Sequence, residues 1–297
     1  MTQQHTSPAA GQAISEILAN FAVNFKASDI PASVRERAKL LMLDAFGIAV
    51  ASHGYDFSKR AMAAISELNS GGRSVVLGSD KRFDLRNSIL MNGILIHGLD
   101  YDDTHAQGVI HATTSTLPTA LAMAAHHNKS GEDLLTAFVL GVEIATRLGS
   151  VAKGGFHQIG FHPTGLIGTF GCTMASGWLL GLNERQYIDA QGLALSVASG
   201  SLEFLNDGAW NKRMHPGWAG YAGVTAGSVE SRLVSLIDLA PSMLKLAGLA
   251  LPSWMEGRPI LGGEFPERTV LFAARDRCGD AMDRIRAVIG CDSWLVQ

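Results

Sequence analysis

Cysteine is scarce in this chain: only Cys172, Cys278 and Cys291 occur, far apart and without C-x-x-C spacing. Such usage argues against a disulfide framework or a structural zinc and fits a reducing compartment. Charge is scarce as well, at 17% of residues with a net charge of -3, and Lys and Arg form no cluster. Without a basic footprint, no nucleic-acid partner is expected. The first residues, MTQQHTSPAAGQ, lack a basic stretch followed by an apolar one, so no signal peptide is read and a cytoplasmic location is expected. One uncharged stretch, GLIGTFGCTMASGWLLGL (165–182), just reaches spanning length. Its Gly165, Gly168, Gly171, Cys172, Ser176 and Gly177 are small rather than greasy, which points to a central buried helix and not to a membrane span.

Hydrophobic residues, by contrast, make up 47% of the chain, and mean hydropathy is +0.15. That is ample material for a large core, with surface left to bury between subunits. Helical periodicity runs through residues 14–25, 31–52, 84–99, 116–127, 131–150 and 183–200, with Pro31 at a favoured first-turn position and Asn183 as an N-cap. Strand signals are few, SVVLG (74–78) being the best. Closely spaced helices without alternating strands predict an all-α domain. Near residue 230 proline density and charge rise, so two modules are expected, 1–228 and 229–297.

Three polar constellations carry the chemistry. In HGLDYDDTHAQGVIH (97–111), Asp100, Asp102 and Asp103 follow an apolar helix end, and His105 and His111 follow them. A carboxylate beside an imidazole can exchange a proton near neutral pH. The same residue types could ligate a metal, although no metal-ligand spacing is present, or simply cap neighbouring helices in a polar loop. In GGFHQIGFHPTG (154–165), His162 precedes Pro163 and is biased toward extended backbone at the mouth of the buried helix. Thr164 and the amides after it would then form a helix N-terminus able to receive a carboxylate. In GSLEFLNDGAWNKRMHPGWAGYAG (200–223), Lys212, Arg213 and His215 lie between Trp210 and Trp218, a setting suited to an anionic di- or tricarboxylate.

These three stretches, in this order, resemble the MmgE/PrpD family over roughly residues 10–228. The family's D-F-D-D-T motif falls on Asp100 through Thr104, with Tyr101 as the aromatic. The resemblance implies Asp100 and Thr104 as active-site positions, His111 as the following motif histidine with His105 as a minor candidate, and His162 as the histidine of the H-P pair. It places the family lysine on Lys212, with Met214 replacing Leu and His215 keeping the last histidine of the turn. Implied with it are a helical domain of homodimers and cofactor-independent, metal-free lyase or isomerase chemistry on a small polycarboxylate, of the 2-methylcitrate dehydratase type. Catalytic roles would fall to Asp100, Thr104, His111, His162 and Lys212, and substrate contacts to Thr164 and His215.

The family normally continues into a lid-like α/β domain. Here the segments LVSLIDLAPSMLKLAG (233–248), PSWMEGRPIL (252–261) and VLFAARDRCGDAMDRIRAV (270–288) resemble instead the C-terminal part of an arylsulfatase-like enzyme. No C-x-P-x-R nucleophile motif is present, so sulfatase activity does not follow. The expectation is a rearranged gene joined near residues 226–232, with a short, incompletely folded sulfatase-like α/β fragment and a site left open where a lid would close it. Two other readings remain: a metal-dependent hydrolase built on the Asp-rich loop, and a catalytically inactive helical scaffold or gene remnant.

Overall fold

The computed structural model describes residues 13–228, 250, 270–275, 284–290 and 293–296. It divides into two compact units, Met1–Val229 and Glu230–Gln297. In the second, β3 (Val270–Arg275), β4 (Arg284–Gly290) and β5 (Ser293–Val296) form an antiparallel sheet in that order, with Val270 opposite Ile289 and Ala287 opposite Val296. The sulfatase-like segments 233–248 and 252–261, and the expected incomplete folding of the fragment, lie outside the described residues.

The first unit is mainly helical. Its long helices are α1 (Ile14–Asn24), α2 (Ala32–Ser52), α3 (Asp56–Leu68), α4 (Leu85–His97), α5 (Ala112–His126) and α6 (Gly131–Val151). After the short α7 (Gly155–Gln158) come α8 (Pro163–Leu180) and α9 (Glu184–Val197). The short α10 (Phe204–Asp207) and a 3-10 turn (Trp210–Met214) lead into α11 (His215–Ser228). Starts follow local chemistry. Asp84 accepts from the amides of Arg86 and Asn87 ahead of α4, Ser130 and Asp133 cap α6 reciprocally, and Asn183 with Gln186 does the same for α9. Gly181, at φ +73°, ends α8 in the left-handed conformation that costs glycine nothing.

Two local expectations shift. The strand expected over 74–78 shrinks to β1 (Ser74–Val75), paired with β2 (Arg82–Phe83). Beyond it the side-chain amide of Asn92 replaces a strand neighbour, accepting from the Leu77 amide at 2.8 Å and donating to the Val75 carbonyl at 2.9 Å. Helix α5 begins earlier than its apolar spacing implies, so Pro118 falls inside it.

Helix α8 lies at the centre, against α5, α6, α9 and α11, and nearly all of it is buried. A polar-looking helix can sit there because its hydroxyls bond back along their own helix: Thr169 to the Gly165 carbonyl, Thr173 to that of Thr169, and Ser176 to that of Cys172. Its small residues let backbones touch. A Cβ on Gly171 would lie 2.6 Å from the Gly141 carbonyl oxygen of α6, and one on Gly223 of α11 would lie 2.5 Å from the Cys172 Cβ. Gly93 of α4 and Gly217 of α11 meet in the same way. The apolar core continues through Ile89, Met91, Leu95, Leu117, Met123 and Phe138. Helix α6 is long and apolar enough to cross a membrane, yet it packs on α5 and α8 and half of its apolar window is buried.

Gly217→Ala sets a methyl group against the Leu90 backbone and should destabilise the domain by about 1–3 kcal/mol. Gly131→Ala, in open space at the start of α6, should change stability by less than about 1 kcal/mol. Urea unfolding of both variants checks the contrast.

Candidate active site

The packing of small residues brings helix ends together. His97 is the last residue of α4, His111 the N-cap of α5, His162 the N-cap of α8, and His215 the first residue of α11. Their rings form a row, with centroids 4.8 Å apart for His97–His111, 5.9 Å for His97–His162 and 5.3 Å for His162–His215. Three of the four mark helix N-termini, whose free amides carry partial positive charge. A cleft of about 270 Å³ opens beside them, lined by His97, Asp100, Phe204, Lys212 and Arg213 among others. A larger, mostly apolar cleft of about 340 Å³ shares none of its lining residues.

Asp100 follows the end of α4 at φ +59°, a left-handed conformation that Asp tolerates better than most residues. Both of its carboxylate oxygens accept from the Lys212 ammonium at 2.7 Å. Burial works to raise its pKa, but the hydrogen bond and charge of Lys212, followed by His97 and His111, hold it below the ordinary carboxylate value. Arg213 donates from Nε to the Gly98 carbonyl at 2.8 Å and packs over Phe57, which ties the 3-10 turn to the end of α4.

Asp102 is buried. It accepts from His97 Nδ1 at 2.9 Å, and its other oxygen lies 3.5 Å from His111 Nδ1. Since an ionised carboxylate only accepts, His97 carries its proton on Nδ1 when neutral and presents a lone pair at Nε2. That Nε2 is buried and has no hydrogen-bond partner among the described residues. It lies 4.0 Å from Asp100 Oδ1, while His111 Nε2 lies 3.8 Å from the same oxygen. Thr104 Oγ1 is 3.4 Å from His111 Nδ1.

Asp100, Thr104, His111, His162, Lys212 and His215 thus lie along one row: Asp100 holds Lys212, His111 reaches Asp100 and Thr104, and His162 meets His215. Thr164 stands slightly apart: it is buried, and its hydroxyl accepts from the His111 amide at 3.1 Å, so it positions His111. His105 is occupied within its own loop, where Nδ1 accepts from the Gly108 amide. Asp103 accepts from the Thr113 amide, and burial raises its pKa against that bond. His97 was not singled out from the sequence, although it opens the most polar stretch, and Asp102 was named there only as one of three acidic residues. The only available signal was a histidine ending an apolar helix three residues before Asp100.

Donor atoms of His97, Asp100, Asp102 and His111 all lie within 4.8 Å of one another, a set that could hold a divalent cation. Asp102, bonded to His97, would then orient a ligand as outer-shell carboxylates do. Lys212 already places a positive charge on Asp100.

Burial, helped by His97, His215 and Lys212, pushes the His162 pKa down to about 2. Burial followed by His97 and Lys212 lowers that of His215 as well. Below pH 6.5 the unfolded chain therefore binds protons that the folded His162 does not, so stability rises with pH on this limb and falls on acidification. The slope attributable to His162 is at most about 1.4 kcal/mol per pH unit. Denaturant titrations from about pH 7 to pH 5 should show a flatter slope for His162→Gln than for the unsubstituted protein.

The MmgE/PrpD N-terminal domain matches residues 16–229. A cis-aconitate decarboxylase-like protein of Aspergillus oryzae is 31% identical over 206 residues, covering 67% of this chain and 43% of its own length. The cis-aconitate decarboxylase of Aspergillus terreus is 28% identical over 233 residues, with 76% and 47% covered. The human cis-aconitate decarboxylase is 30% identical over 221 residues, with 72% and 45% covered. The chain thus spans less than half the length of these curated relatives, and residues 230–297 lie outside the family match. With its helical domain matched almost from end to end, the chain belongs to the MmgE/PrpD family.

Proposed function

We propose that the helical domain carries lyase or isomerase chemistry on a small polycarboxylate, moving a proton at a carbon next to a carboxylate without a cofactor. The observation that supports this reading is the meeting of four imidazoles with the Asp100–Lys212 pair at three helix N-termini. Substrate carboxylates would share Lys212 with Asp100 and take up the amide ends of the helices. An enolate-like charge developing beside them would be stabilised by the same groups. An imidazole then serves as the proton carrier, and Asp100 lies 3.8 Å from His111 Nε2, near enough to orient that ring.

The relatives are named for decarboxylation of cis-aconitate, whereas the family resemblance implied chemistry of the 2-methylcitrate dehydratase type with dehydration, decarboxylation and epimerisation left open. Both reactions need a carboxylate anchor beside a proton carrier, so cis-aconitate is the first substrate to test and 2-methylcitrate the second. The Asp100 side chain is 56% exposed and that of Lys212 27%, so water reaches the pair in this unit. Slow turnover is therefore part of the proposal. Metal analysis of the purified protein separates it from the hydrolase alternative, and stoichiometric bound metal would favour the latter. A homodimer is also proposed. Leu40, Leu43 and Val50 of α2 remain more than half exposed, and an equilibrium sedimentation experiment giving only monomer would reject it. The arylsulfatase-like origin of the segment after residue 229 is a further proposal, carried by its sequence motifs alone.

Turnover is measured by proton NMR in deuterated buffer. His162→Ala and Lys212→Ala should each lower it by about 10²-fold or more. Folded protein that neither forms product nor exchanges deuterium with any polycarboxylate would instead support an inactive scaffold.

A further inference from the structure

His162 and His215 meet Nδ1 to Nδ1 at 3.1 Å, and both side chains are buried. Two imidazole nitrogens at this distance require one proton between them, because two N–H groups would collide and two lone pairs would repel. When the pair is neutral, one ring is the Nδ1–H tautomer and the other the Nε2–H tautomer. The two rings therefore differ in use: one exposes a lone pair at Nε2 and the other an N–H. Phe204 packs edge-on against both, with centroids 6.0 Å and 5.9 Å away, which fixes their planes. Each ring also stands at the start of a buried helix, and Lys212 adds positive charge nearby. Both features disfavour a lasting imidazolium, so a lone histidine here would be a poor proton store.

We infer that His162 and His215 act as one proton-transfer unit, in which a proton accepted at Nε2 of one ring is matched by a proton released from Nε2 of the other. An N–H bond forms at the first Nε2 as a substrate C–H or O–H bond breaks. The Nδ1–H bond of that ring breaks, and its proton joins Nδ1 of the partner. The partner's Nε2–H bond then breaks and delivers a proton to the departing group or the carbanion. One proton enters and one leaves, and both rings are neutral before and after. The inference rests on the proposed reaction, which removes a proton at one atom and supplies one at another. It also gives His215 a use different from direct substrate binding.

Histidine-selective ¹⁵N labelling with long-range ¹H–¹⁵N correlation tests the pair without any substrate. The expected result near neutral pH is complementary shifts, with Nδ1 of one ring protonated to the extent that Nε2 of the other is. In His215→Phe, the His162 signals should lose that complementarity. Two rings with the same tautomer, or an imidazolium at neutral pH, would overturn the inference. Turnover tests the relay. His215→Asn keeps an amide near the Nδ1 position but no titratable proton, so turnover should fall about 10²-fold, as in His162→Asn, and no further in the double variant. Near-normal turnover in a folded His215→Asn protein would reduce His215 to an orienting contact and end the relay. If the unsubstituted protein turns over no polycarboxylate while its tautomers are complementary, the reaction reading fails and the shared proton stands.

Discussion

Backbone-to-backbone contact between α4, α8 and α11 is the constraint on which the site depends. Gly93 against Gly217, and Gly223 against Cys172 and Thr169, leave no room for a Cβ. With larger residues the helices would stand further apart, and the ends that carry His97, His162 and His215 would separate with them. A hydrogen bond of 3.1 Å between residues 53 apart in sequence survives only small displacements. The glycine and hydroxyl content of α8 is thus tied to the chemistry at its N-terminus. The same residues that keep it from being a greasy membrane segment set the spacing of the imidazoles.

Electrostatics then divides the cluster into two halves. Around Asp100 charge is kept, because Lys212 closes on both oxygens and holds the carboxylate ionised in a partly open position. Around His162 and His215 charge is excluded, because burial and neighbouring positive groups favour neutral rings. Between them, Asp102 binds His97 Nδ1 and lies 3.5 Å from His111 Nδ1, and the His97 ring stands 5.9 Å from that of His162. A site with a retained ion pair beside neutral imidazoles can hold an anionic substrate with one half and move its protons with the other.

Much of this was legible from the residues. The helical periodicity of α4, α6 and α9, the Asn183 cap and the small-residue texture of α8 all follow local rules that operate over a few positions. Asp100, His111, His162 and Lys212 each sit in a polar stretch within an apolar chain, but it was the family resemblance that implied them as site positions. His97 was not singled out, since a single histidine at the end of an apolar helix resembles any buried polar residue. Thr164 was read as a substrate contact at a helix N-terminus, and its hydroxyl also accepts from the amide of His111, a partner that local sequence does not reveal.

Most of the helices, the Asn183 cap, the residue types available for proton transfer and the family resemblance were readable along the chain, whereas α3 and α11 were not read as helices. Periodicity and capping are set by neighbours in the chain, and motifs by their order along it. Which nitrogen faces which acceptor follows from the fold for His162 on His215 and Lys212 on Asp100, pairs 53 and 112 residues apart that meet only through helix packing. His97 on Asp102, five residues apart, depends on the turn after α4.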